Sequence, residues 1–127
     1  MRKYLMALAG ALAFSTLGVS SAAAQQAGKE TAKDATITAE VIDLSCKLVH
    51  GLSGPDHTMC AQVCADKGIP LALFSNGEVY LPVSMGMPGD GSNAQLKPFA
   101  EQKVQVKGKI IERGGVKAIV IEEIKKS

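Results

Sequence analysis

Polar and apolar positions alternate in short runs along most of the chain behind residue 35, and each run ends at a turn signal. The clearest run is Lys103 to Glu112. There Val104, Val106 and Ile110 are separated by Lys or Gln, the period-two signature of a strand with one buried face. Gly114-Gly115 then turns the chain. Val116 to Lys125 returns, with Ala118, Val120 and Ile124 assigned to one side and Ile119 and Ile121 to the other. Upstream, Leu71–Ser75 and Glu78–Val83 flank Asn76-Gly77, the strongest hairpin signal in the chain. Pro82 restricts the second of these strands to an edge or an end. Thr36–Asp43 is rich in β-branched residues, puts Ile37 and Val41 on one face, and reads as the first strand.

One segment has helical rather than strand character. Ser53-Gly54-Pro55-Asp56 has a capping serine, a proline suited to the first turn and an acidic residue completing a capping-box-like pattern. A helix is predicted from Pro55 to Lys67, with Gly68 as its left-handed stop and Pro70 shortly after. Ser84–Ala94 is a long loop, and Gln95–Glu101 holds at most one helical turn. Five turn-linked strands and one helix give a mainly β fold, best matched by a small OB-like five-stranded barrel. The usual OB order places a helix between the third and fourth strands, whereas here the main helix follows the first. The alternative is an open antiparallel sheet with one helix packed across it.

The front of the chain departs from this pattern. Arg2 and Lys3 precede an apolar Ala/Leu-rich run, Leu5–Val19, and Ala22-Ala23-Ala24 offers a small-residue cleavage site. Residues 1–24 read as a signal peptide, 25–35 as a flexible tether, and 36–127 as a single domain. The protein is therefore expected to be exported, periplasmic or secreted, and soluble once cleaved. The chain carries 14 Lys and Arg against 12 Asp and Glu, and the leader accounts for the whole excess. A neutral mature chain without Trp carries no nucleic-acid footprint. Its core must come from Val, Ile, Leu and Ala, and a body of this size gains from a covalent or metal staple.

The candidate staple lies between Cys46 and Cys64, a stretch that holds all three cysteines and both histidines. On a helix with about 100° per residue, His57, Cys60 and Cys64 fall within an arc of about 60°. Met59 and Val63 lie close by, and Gln62 and Asp66 lie on the other side, so the cysteines are expected at the margin of the buried stripe. Cys46 arrives from the end of the first strand and can close over the same face. Three thiolates and one imidazole make a tetrahedral set suited to Zn²⁺, or to Cu(I) in a softer variant. His57 and Cys64 lie about 10 Å apart along an ideal helix axis, so one ion reaches both only if the first turn is distorted.

Two other readings compete. Exported chains meet oxidising surroundings, so Cys46 can pair with Cys60 or Cys64 and leave one thiol over. Such a stapled module would bind a peptide, a cell-envelope fragment or a partner protein near Met85 and Met87. Alternatively Cys60, near a helix N-terminus and one turn from His57, is a reactive thiol in redox or copper handling. The C-x₃-C spacing is not the C-x-x-C redox motif. His50 reads as a solvated loop residue. Met85 and Met87 are either a soft Cu(I) clamp or, the preferred reading, a cover over the barrel mouth. No hydrolytic triad, phosphate loop or dinucleotide fingerprint is present, and a binding role is favoured over an enzymatic one.

The pattern Val41-Ile42-Asp43-x-x-Cys46, Gly54-x-x-His57-x-x-Cys60-Ala-x-x-Cys64, Gly68-x-Pro70, Val79-Tyr80, Val104-x-Val-x-Gly108 and Arg113-Gly-Gly115 resembles a family of small exported bacterial proteins. The resemblance covers nearly the whole mature chain. It implies that Cys46, His57, Cys60 and Cys64 act as a set, and it implies no activity.

Overall fold

Two tight turns with positive φ at both central residues set the strand pairing. Asn76 (φ 51°) and Gly77 (φ 81°) join Leu71–Ser75 (β2) to Glu78–Pro82 (β3), and Gly114 (φ 59°) and Gly115 (φ 78°) join Lys103–Arg113 (β4) to Val116–Lys126 (β5). That geometry matches the right-handed twist of paired strands. The structure, a computed structural model, describes residues 32–127. The leader expected over residues 1–24 and most of the tether lie outside the described residues. Lys33–Asp43 forms β1, so the last three residues of the expected tether are already strand. Lys33, Asp34 and Ala35 pair with Ile110, Lys109 and Gly108 of β4, which is long enough to extend the ladder beyond Thr36.

The strands close a barrel in the order β1-β2-β3-β5-β4. All pairings are antiparallel except β3 with β5, where Leu81 and Pro82 oppose Ala118 and Ile119 in parallel. This is the OB arrangement, not the open sheet. The helix expected of that fold between β3 and β4 is present as a short turn, Asn93–Leu96 (α2), continued by a 3₁₀ turn over Lys97–Phe99. Leu96 is its fully buried anchor. The interior is lined by Val41, Leu71, Leu73, Val104, Val106 and Ile119. The same cluster takes in Ala61 and Ala65 of the main helix, Thr58–Asp66 (α1).

The face assignment for β5 needs correction. Ile119, Ile121 and Ile124 all meet the core, although 119 and 124 differ in parity. The ladder explains this: Lys107 opposes Glu123 but Gly108 opposes Ile121, so a bulge skips Glu122 and shifts the alternation by one. Gly108 is required at this kink, because a Cβ there would stand 2.1 Å from the Val120 carbonyl oxygen. Two seams carry surface ion pairs: Lys109 with Asp34 at 2.9 Å, and Lys117 with Glu78. Among the described residues no helix is long and apolar enough to cross a membrane.

Candidate metal centre

The cysteines and histidines occupy the long connection between β1 and β2, one of the connections that OB folds use for binding. Asp43, the last residue of β1, is fully buried. Its Oδ1 accepts the Cys46 N–H at 2.8 Å, a local bond that starts a helical turn. The turn continues as a π-helix over Cys46–His50 and stops at left-handed Gly51 (φ 68°). Such single π-turns are rare and concentrate at functional sites.

The chain then re-enters helix at Gly54, whose φ of 109° suits only glycine. Ser53 is not the cap: its Oγ accepts a hydrogen bond from Lys47 Nζ at 2.8 Å. The first turn, Pro55–His57, is 3₁₀ rather than α, and α1 runs from Thr58 to Asp66. Tightening the first turn rotates His57 away from its ideal helical position. Gly68 (φ 88°) ends the helix as expected.

The buried stripe of α1 is not where the sequence suggested. Ala61 and Ala65 face the barrel, while Met59 and Val63 are exposed. Alanine allows α1 to lie close against β1, and the larger apolar side chains turn outward. This leaves Cys60 exposed and Cys64 half-buried, facing back toward the end of β1.

Two sets of potential ligand atoms result. Cys46 Sγ, a His57 ring nitrogen and Cys60 Sγ lie within 4.8 Å of one another, as do an Asp43 carboxylate oxygen, Cys46 Sγ and Cys64 Sγ. The four residues expected as a set are thus brought together, but His57 and Cys64 fall into different groups joined through Cys46. Asp43 is the ligand candidate that sequence reasoning missed. Among the described residues, two buried side-chain polar atoms have no hydrogen-bond partner, Asp43 Oδ2 and His57 Nε2. One belongs to each group, and an orphaned buried polar atom marks a site where a ligand is missing from the hydrogen-bond balance.

Glu101 holds the assembly from outside. It is buried, and it precedes β4 with a φ of 59°, unusual for a residue other than glycine. Its Oε1 accepts the Asp43 N–H at 3.2 Å and its Oε2 accepts the Gly54 N–H at 2.7 Å. One carboxylate therefore ties the end of β1 to the start of the His57 turn. Asn93 does the same for the far end of α1: it accepts the Leu71 N–H and donates to the carbonyls of Ala65 and Ile69.

Electrostatics disfavour free thiolates here. Contact with the Asp43 carboxylate, then burial, pushes the Cys64 thiol up to about 11. Burial, then the charge of Asp43, raises Cys46 as well. The Asp43 carboxylate beside Cys46 and Cys64 is the opposite of the electropositive surrounding that activates a thiol. A bound cation inverts this order, because it stabilises each thiolate directly. All three cysteines are free thiols. His50 is exposed and belongs to neither group. Met85 and Met87 are 69% and 97% exposed, so they do not cover the barrel mouth. Compared with known proteins, the chain matches no family model, no curated protein and no solved structure.

Proposed function

We propose that this is an exported metal-binding protein that holds Zn²⁺ or Cu(I) on the β1–β2 connection through Cys46, His57, Cys60 and Cys64. The observation that carries the reading is the convergence of two further thiols and an imidazole on the Cys46 thiol, with the His57 Nε2 buried and unpartnered. Sulfur and imidazole donors select these metals over calcium or magnesium, which take oxygen. The distorted first turn and the Glu101 clamp support it, since outer contacts that fix ligands in place are typical of metal sites. Kinship with the small exported family noted above is part of the same proposal. The protein works by binding rather than by turnover.

Elemental analysis of protein purified without chelator tests this, combined with alkylation before and after chelation. At least one equivalent of metal and three alkylatable thiols after chelation are expected. Metal far below one equivalent, with one alkylatable thiol and a mass two units lower, would establish a disulfide from Cys46 and overturn the reading.

A further inference from the structure

A single ion leaves two features of the connection unused. The ligand atoms form two triads whose only shared member is Cys46 Sγ, so an ion centred in one triad leaves the outer ligands of the other unbound. The second feature is Asp43. Its side chain is fully buried, its Oδ1 is held by the Cys46 N–H, and its Oδ2 has no partner. The carboxylate therefore cannot turn to solvent. Glu101 accepts the Asp43 backbone N–H and so fixes the end of β1 that carries it. The groups that face this carboxylate are the Cys46 and Cys64 sulfurs, and a cation among the three would satisfy the free oxygen.

We propose that the connection binds two zinc ions bridged by the Cys46 thiolate, one held also by His57 and Cys60 and the other by Asp43 and Cys64, with water as the fourth ligand of each. This rests on the metal reading above and specifies its stoichiometry and its metal. Charge supports it. The three thiolates and the Asp43 carboxylate that would ligate the ions carry four negative charges, which two Zn²⁺ balance. The donor set supports it as well, because a hard carboxylate oxygen suits zinc and not Cu(I). On binding, each of the three thiols gives up its proton to solvent and forms a metal–sulfur bond, Cys46 forming two.

The test is a zinc titration of the metal-free, reduced full chain, read by elemental analysis after gel filtration. Two equivalents are expected in the wild type. Asp43→Asn keeps the Oδ1 acceptor and the side-chain shape, and it should retain one equivalent, as should Cys64→Ser. Cobalt gives a readout that needs no variant. The first equivalent of Co²⁺ should give an electron paramagnetic resonance signal, and the second should diminish it through coupling across the shared sulfur. One equivalent in the wild type, unchanged by Asp43→Asn, overturns the two-ion proposal and leaves the single-ion reading standing. No bound zinc overturns the two-zinc proposal, and no bound zinc or Cu(I) overturns both.

Discussion

In the β4–β5 hairpin, paired residues run from Val104 opposite Lys126 to Arg113 opposite Val116, broken at the Glu122 bulge, and Val104, Val106 and Ile119 are wholly buried. In the β1–β2 connection, Leu48, Val49, Leu52, Met59 and Val63 are all exposed. What holds the connection is the packing of Ala61 and Ala65 on the core and a small number of polar contacts to Asp43, Glu101 and Asn93. The hairpin is specified many times over by alternation and turn chemistry, and its stability is distributed along its length. The connection is specified by single residues, and its apolar side chains contribute little. A segment whose apolar burial is little more than Ala61 and Ala65 gains from another source of order, which the metal proposed at Cys46 would supply.

The largest predicted effect breaks the hairpin side of this contrast. Gly108→Ala drives a Cβ into the Val120 carbonyl and should cost about 4 kcal/mol or more, seen as a lowered urea midpoint that chelator does not change. Next comes the metal. Zinc at a hundredfold excess over its dissociation constant should stabilise the wild type by about 2.7 kcal/mol, and Cys46→Ser should abolish that increment while leaving the metal-free melt nearly unchanged. An increment that survives Cys46→Ser would remove Cys46 from the site. Glu101→Gln leaves one oxygen to accept where two were used. It should cost about 1–3 kcal/mol and weaken zinc about 10–100-fold in a competition titration, whereas a purely structural Glu101 would leave the affinity untouched.

The smallest effect concerns the exposed pair on the β3–β5 seam. The Lys117 ammonium, through its hydrogen bond, holds the Glu78 carboxyl below its ordinary range, and Glu78 in turn raises Lys117. A depressed carboxyl contributes stability above its unfolded value of about 4.3, and this is lost as pH falls through the folded value. A raised lysine contributes below its unfolded value of about 10.4, and this is lost as pH rises through the folded one. Lys117→Met should flatten stability slightly at both ends of the pH scale. No change in either limb would mean that the pair is fully screened.

The same contrast explains what could be read from the sequence. Alternation in β4, Asn76-Gly77 and Gly114-Gly115 declared the strands and their hairpins, because those rules are local. The closed order was expected from the strand count, but the parallel contact of Leu81 with Ala118 is long-range and carries no local mark. The β5 faces were misread because a bulge at Glu122 shifts the phase without changing composition. At the site, Cys46, His57, Cys60 and Cys64 were visible as rare residue types at close spacing. Asp43 was not, since an acid at the end of a strand looks like an ordinary solvated residue until burial is known. Glu101 lies 58 residues from Asp43 and 47 from Gly54, so no local pattern links it to either. The π-turn and the exposed Met59 and Val63 follow from how α1 docks, which helical periodicity alone does not determine.

The most direct test of a metal-ordered connection on an independently stable barrel is hydrogen exchange of the zinc-loaded and chelated protein, compared segment by segment. The account predicts that chelation speeds exchange across residues 46–66 and leaves β4 and β5 as protected as before. Unchanged exchange across 46–66, or equal loss of protection in the connection and in β4–β5, would contradict it.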